Sequence, residues 1–337
     1  MRLDVRATVA GFAGALVVLG LLAWLVGIEE LLTTLAMADR SGIAGVLGAA
    51  VVWLVAWALA LATVLSALDA PISAPRAVAI YAGVLFSNNV TPFGQAGGEP
   101  ISALLISESA DTAYENALAA IASADSINFV PSTGLALIGV TYYSVAAAAG
   151  DELRLATAAV VVLAVGMPIA GFLGWRNRKR VEAGIARTLT PAARAIGKRV
   201  PRLSAPTRQA IENRVDGFFR SLEDVAGDRQ SLAVAIGLST LGWVAQATAL
   251  WFALSAIGVT APYVAVLVAV PVGAIASITP LPGGLGGVEA ALIGLLVPLA
   301  GVSAATAAAA VALHRGAIYW LPTLIGGGVA AALAADR

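Results

Sequence analysis

The chain has 337 residues, 59% of them hydrophobic and only 12% charged, with 20 basic side chains balanced by 20 acidic ones and a mean hydropathy of +0.89. Soluble domains run at about 25% charged and disordered chains need low hydrophobicity, so both classes are excluded. The absence of cysteine and the single histidine, His314, remove disulfide frames, thiolate nucleophiles and multi-histidine metal centres, leaving a polytopic helical membrane protein.

A membrane span takes about 20 largely apolar residues. Thr8–Ile28 is the first, preceded by Arg2 and Arg6; it is too long for a signal-peptide core and no small-residue cleavage site follows it. Gly42–Leu68 is the second, ended by Asp69, Pro71 and Pro75. Segment 77–107 differs. Two short apolar pieces flank Ser87-Asn88-Asn89-Val90-Thr91-Pro92-Phe93-Gly94-Gln95-Ala96-Gly97-Gly98-Glu99-Pro100, the pattern of a broken, re-entrant segment. Ala117–Tyr143 follows as a span containing Asp125 and Asn128, and Leu155–Trp175 as another.

Residues 176–230 form the one hydrophilic stretch, with thirteen basic and six acidic side chains and hence a net charge of +7. The positive-inside rule puts it in the cytoplasm. Within it, Val215, Phe218, Phe219 and Leu222 recur at helical spacing and predict an amphipathic helix over 213–225, lying on the membrane or on the bundle. Leu232–Ile257 is the next span. Segment 265–299 is the second broken piece, interrupted by Thr279-Pro280-Leu281-Pro282-Gly283-Gly284-Leu285-Gly286-Gly287-Val288-Glu289. The remainder, 304–335, is apolar except for His314-Arg315, and its pattern leaves open one long helix or two short ones.

The two broken segments resemble each other: a Thr-Pro, a glycine cluster, one glutamate and a second apolar run, from Thr91 to Glu99 and from Thr279 to Glu289. Paired Gly/Pro-interrupted segments in two halves point to a transporter-type site built on an inverted repeat. Counting spans outward from the cytoplasmic stretch, the first hairpin enters and leaves on the inner face and the second on the outer. The expected architecture is an all-α integral membrane bundle with two re-entrant hairpins. It comprises a first half (1–175), the basic loop (176–230) and a second half (231–337).

Ionisable groups within a membrane cost roughly 3 kcal/mol each on insertion scales and are functional by default. Glu99, Asp125, Glu289 and Arg315 are such groups. Gly94, Gly97, Gly98, Gly283, Gly284, Gly286 and Gly287 let the backbone turn its amides inward, and helix N-termini near Glu99 and Val288 direct positive dipole ends at an anion. Asn88, Asn89, Thr91, Gln95 and Thr279 add hydrogen-bonding groups. Against this stand blander roles: tight packing for the glycines, capping for the glutamates, counter-ion for Arg315, a packing or cavity-facing role for Asp125, and a satisfied helix histidine for His314. Trp24, Trp175, Trp320, Tyr142 and Tyr143 read as interfacial aromatics. No metalloprotease, nucleophile-elbow or P-loop motif is present.

At these residues the chain resembles the flippase-like membrane domain of lysylphosphatidylglycerol synthases. The residues that carry the resemblance are Asn89-x-Thr91-Pro92-x-Gly94-x-x-Gly97-Gly98-Glu99, Pro280-x-Pro282-Gly283-Gly284-Leu285-Gly286-Gly287-x-Glu289, and Arg315 with Tyr319 and Pro322. The resemblance implies movement of a lipid between leaflets: an aminoacylated phospholipid in the synthases, glycolipid or polyprenyl-phosphate lipids in archaeal-type members. The chain departs from the family pattern at Gln95, where many members carry arginine, and at Ala122–Asp125, which lacks a nearby arginine. It carries no synthase or glycosyltransferase domain, so it is expected to be no enzyme and to use no cofactor. Expected partners are the cell membrane and a phospholipid or polyprenyl-phosphate-linked lipid, with no nucleic acid. A separate lipid-modifying enzyme and a second copy of the chain remain open as protein partners. Two rival readings are an intramembrane transferase or hydrolase on lipid-linked sugars and a scaffold for a lipid-modifying enzyme.

Overall fold

The computed structural model describes residues 5–91, 95–146, 173, 176–177 and 208–335. Gly94, the acidic pair Asp151-Glu152, all but Leu173 of the expected span Leu155–Trp175, and 178–207 of the basic stretch lie outside the described residues. Every regular element among the described residues is helical.

Helix α1 (Val5–Val26) ends at Gly27, whose φ of +98° favours glycine. There the chain turns by 88° into α2 (Ile28–Ala36), so the expected span Thr8–Ile28 is α1, ended by a sharp bend. Asp39 caps α3 (Arg40–Ala67) by accepting from the Ser41 and Gly42 amides. Asp228 caps α8 (Arg229–Ala256) in the same way, accepting from Gln230 and Ser231. Both helices have 28 residues, and they form the central pair. Gly42 lies against Ala256 and Gly45 against Phe252, while Trp57 Nε1 donates to Ser239 O at 3.2 Å. The partners run in opposite order along the two chains, so α3 and α8 are antiparallel. Small residues allow this close approach, which is how helices associate when hydrocarbon replaces water.

From the end of α3 the chain enters a helical hairpin, α4 (Ala74–Val90) and α5 (Gln95–Ala110). Gly83 faces Leu105 and Gly98 faces Asn88, so the arms are antiparallel. From the end of α8 it enters a second: α9 (Tyr263–Ala274), a tight 3₁₀ turn over Ile275–Ile278, the loop 279–286, and α10 (Gly287–Ala300). Here Gly273 makes room for Leu292. Because α3 and α8 are antiparallel, the two hairpins start from opposite ends of the central pair.

Each hairpin is followed by a long helix. In the first half this is α6 (Tyr114–Ala146). In the second, α11 (Ala304–Arg315), a π-turn (Gly316–Trp320) and α12 (Leu321–Ala335) form one unbroken helical run, which settles 304–335 as one helix rather than two. The amphipathic helix expected over 213–225 is α7 (Arg208–Gly227). It lies on the bundle: Ser221 Oγ donates to Asn116 Oδ1 of α6 at 3.1 Å and Val225 is buried.

By length and apolar composition alone, three described helical stretches are able to cross a membrane, Arg40–Ala67, Arg229–Ala256 and Pro282–Ala300, or up to 4 if the α1–α2 pair is one span. Trp24, Trp320 and Tyr142, expected at the membrane interface, are exposed.

Candidate functional site

The loop of the second hairpin meets the C-terminal end of α4. Gly283 has a φ of +54°, and a Cβ there would strike the Tyr319 ring and come within 3.0 Å of the Asn89 Cα. Tyr319 OH donates to Asn89 O at 2.9 Å. The Asn89 amide donates to Thr323 Oγ1 at 2.7 Å and to Tyr319 O at 3.4 Å. Gly326 and Gly327 of α12 seat against Ala82 and Phe86 of α4. The first hairpin is thereby fastened to the last helix of the second half.

Beside this junction lies an ion pair. Arg315 Nε is 2.7 Å from Glu289 Oε1, with the two side chains 12% and 9% exposed. The second carboxylate oxygen, Glu289 Oε2, accepts the Gly286 amide at 2.6 Å, so Glu289 also caps α10, as its place in the first turn favours. The Arg315 Nη2 reaches Gly283 O at 3.4 Å, and the guanidinium stacks 4.7 Å above the Tyr319 ring. The π-turn beginning at Gly316 follows directly after Arg315 and contains Tyr319; such turns concentrate at functional sites. Burying an isolated charge costs several kcal/mol, so the salt bridge, the capping bond and the stacking together make this pair tenable inside the bundle.

The other expected residues fall around the same junction or along the first hairpin. Asn88 is buried against Gly98, and its Oδ1 has no hydrogen-bond partner among the described residues. Thr91 is buried and donates to Ser87 O at 2.7 Å. Gln95 and Gly97 lie in the first turn of α5. Glu99 is half-buried, and among the described residues its carboxylate makes neither a hydrogen bond nor an ion pair. Thus Arg315 serves Glu289 alone, not both glutamates. Thr279 Oγ1 is buried beside Gly287 without a partner among the described residues. Gly284 (φ +68°) packs on Ser277, and Gly286 (φ +82°) on Val18 of α1. Asp125 is partly buried on α6. His314, on α11, is buried at 3% exposed.

Sequence reasoning missed Thr323, Ser277 and the α1 residues that cover the loop. Thr323 could have been found, since it lies one helical turn after Tyr319. It also missed the register of the internal similarity. Aligned on Pro92 and Pro282 rather than on the Thr-Pro pairs, both tips read Pro-x-Gly-x-x-Gly-x-Glu without a gap, 190 positions apart. The same offset carries Gly83 to Gly273, Asp125 to Arg315 and Thr133 to Thr323. Among the described residues no group of three or more His, Cys, Asp or Glu forms a metal site.

The proteins to which the chain is similar are membrane proteins. A family model described as the lysylphosphatidylglycerol synthase TM region matches residues 11–326. A UPF0104 membrane protein of Methanothermobacter thermautotrophicus is 29% identical over 337 residues, covering 97% of this chain and 93% of its own length. A UPF0104 membrane protein of Pyrococcus horikoshii is 23% identical over 317 residues, covering 91% of each.

Proposed function

Because the chain belongs to the lysylphosphatidylglycerol synthase TM-region family, we propose that it binds a lipid with a charged headgroup where the two hairpins meet and passes it between leaflets. A lipid-related role in the membrane is the family's; translocation is the reading of this site. The observation that carries it is the buried Glu289–Arg315 pair at the contact of two Gly/Pro-broken hairpins. Ionised groups held inside a membrane bundle mark substrate paths, and broken helices with glycine-lined tips are where transporters place them.

The hairpins are re-entrant arms of an inverted repeat in this reading. Support comes from the antiparallel α3 and α8, of equal length and each capped by aspartate, and from hairpins that start at opposite ends of that pair. The basic stretch 176–230 faces the cytoplasm and the chain sits in the cell membrane. Glu108 and Gly301, at the hairpin bases, then lie on opposite sides. Single cysteines placed there in this cysteine-free chain report the sides directly: labelling of both by one impermeant reagent from one side ends the inverted arrangement.

The headgroup is an anionic phosphate group. It meets the α5 N-terminus and Thr279, whose Oγ1 is buried without a partner among the described residues, while the paired Glu289 and Arg315 fix the wall. No bond is made or broken, and no cofactor takes part. Purified protein in liposomes is expected to speed leaflet exchange of a fluorescent anionic phospholipid. Substituting Glu99→Gln and Glu289→Gln together is expected to slow it; unchanged exchange in that double variant overturns the site.

A further inference from the structure

We infer that α1 is a lateral gate over the Glu289–Arg315 site, and that an acyl-chained ligand enters between α1 and the loop 281–286; the inference rests on the lipid-binding reading above.

Helix α1 covers the second hairpin's loop. Its main packing partners are α2, α11 and the Pro282–Gly284 turn. Gly11 sits on Pro282, where a Cβ would come within 2.9 Å of Cγ, and Gly14 on Leu281, where one would come within 3.4 Å of Cδ2. Val18 lies over Gly286. Phe12, Ala15 and Leu19 cluster with Leu285 and Tyr319. Gly286 and Tyr319 are the two groups that touch the ion pair most directly, one through the capping bond and one through the stacked ring. The seam under α1 therefore leads straight to Glu289 and Arg315.

That seam is held by apolar contact alone. From Gly11 onward, no α1 side chain makes a hydrogen bond or ion pair across it among the described residues. The outward face is Leu16, Val17, Leu21, Trp24 and Leu25, each more than half exposed. In hydrocarbon the lipid tails are as apolar as the seam, so parting α1 from the loop trades one apolar contact for another with little hydrophobic penalty. An acyl chain fits that exchange, and its headgroup would follow it to the polar junction. The central α3–α8 pair has no such freedom, since the Trp57–Ser239 bond and interlocked glycines hold it.

A pivot is present as well. Gly27 holds a positive φ, and the 88° turn there separates α1 from α2. Helix α2 is anchored independently, with Ser303 Oγ donating to Glu30 Oε1 at 3.3 Å at the start of α11. Movement of α1 about Gly27 leaves that anchor in place. Hinges of this kind are a few terminal residues that absorb the dihedral change.

Two measurements test the gate. In the first, Gly14→Cys and Leu281→Cys are joined by a short cleavable thiol cross-linker, and exchange of fluorescent phospholipid is followed in liposomes. Exchange is expected to fall by about tenfold or more and to return when the linker is cleaved; full exchange with complete cross-linking overturns the gate. In the second, spin labels at Leu21→Cys on α1 and Val51→Cys on α3 report their separation in lipid nanodiscs. Two distance populations are expected, and a single narrow one overturns the gate. If the unlinked protein shows no exchange, translocation fails but the spin-label distances still decide whether α1 opens.

Discussion

Arg315 is committed to Glu289: its Nε lies 2.7 Å from Oε1, while the opposite carboxylate oxygen takes the Gly286 amide. Removing either partner leaves a nearly buried charge uncompensated, at a cost of about 3–5 kcal/mol. Arg315→Ala and Glu289→Gln are each expected to lower the melting temperature sharply in detergent, and the double variant to lose less than the two single losses added. Arg315→Lys should not restore the wild-type value, because lysine lacks the planar fork that bonds Glu289 and Gly283 together. Strictly additive losses in the double-mutant cycle contradict the pairing.

The glycines divide into two groups that a stability series can separate. Gly286→Ala forces a side chain into a positive φ and against Val18, and Gly98→Ala drives one into Asn88. Each should destabilise by about 1–3 kcal/mol. Gly237 and Gly294 lie inside helices with nothing within 4 Å of the place a Cβ would take, so alanine there should stabilise slightly, by about 0.5–1 kcal/mol. Equal effects across the four positions count against a specific role for the tips.

How much of this was legible beforehand follows from the range of each cause. The existence of the hairpin breaks was visible because glycine and proline act on their own backbone, and α10 starts at Gly287 as the second motif suggests; the first break is shorter than expected, since residues 87–90 belong to α4 and 95–100 to α5. The α1–α2 turn rests on Gly27 alone, a single glycine in an apolar run, which is a weak signal. Which glutamate Arg315 meets was not legible. Glu289 precedes Arg315 by 26 residues, and Glu99 precedes it by far more, but sequence distance does not fix which side chain reaches it in space. The Tyr319–Asn89 latch joins residues 230 positions apart, beyond any local pattern.

That latch gives a further expectation. Tyr319→Phe removes one hydrogen bond to Asn89 O and keeps the ring under Arg315. A loss of about 0.5–1.5 kcal/mol is expected, larger for Asn89→Ala, which also removes the bonds from its side-chain amide to Thr323 Oγ1 and Tyr319 O. Hydrogen exchange at the end of α4 should rise in both variants. Unchanged protection at 87–90 means the halves are not fastened there.

The aspartate caps set a response to acid. Hydrogen bonds from the Ser41 side chain and the Gly42 amide hold Asp39 below the usual carboxylate range, and bonds from the Ser231 side chain and amide do the same for Asp228. A depressed folded-state value means the contribution is complete above the unfolded value near about 3.9 and fades as pH falls through the folded one. Melting temperature should therefore drop on acidification through that window, and Asp39→Asn with Asp228→Asn should shrink the drop. An identical drop in the double variant places the acid sensitivity elsewhere.

The charge at position 125 tests the equivalence of the halves. Asp125 follows Glu99 by 26 residues, as Arg315 follows Glu289, and each lies eleven residues into the helix after its hairpin. The second half therefore carries an ion pair where the first carries two acids. Asp125→Arg puts a long cationic side chain where its counterpart closes on a glutamate, so it should pair with Glu99. The expected result is a higher melting temperature that Glu99→Gln cancels in the same background, together with slower lipid exchange because the first tip is now tied. If Asp125→Arg destabilises the protein and Glu99→Gln does not alter that loss, the arginine finds no partner at Glu99, and the two halves do not share the register that the repeated motif implies.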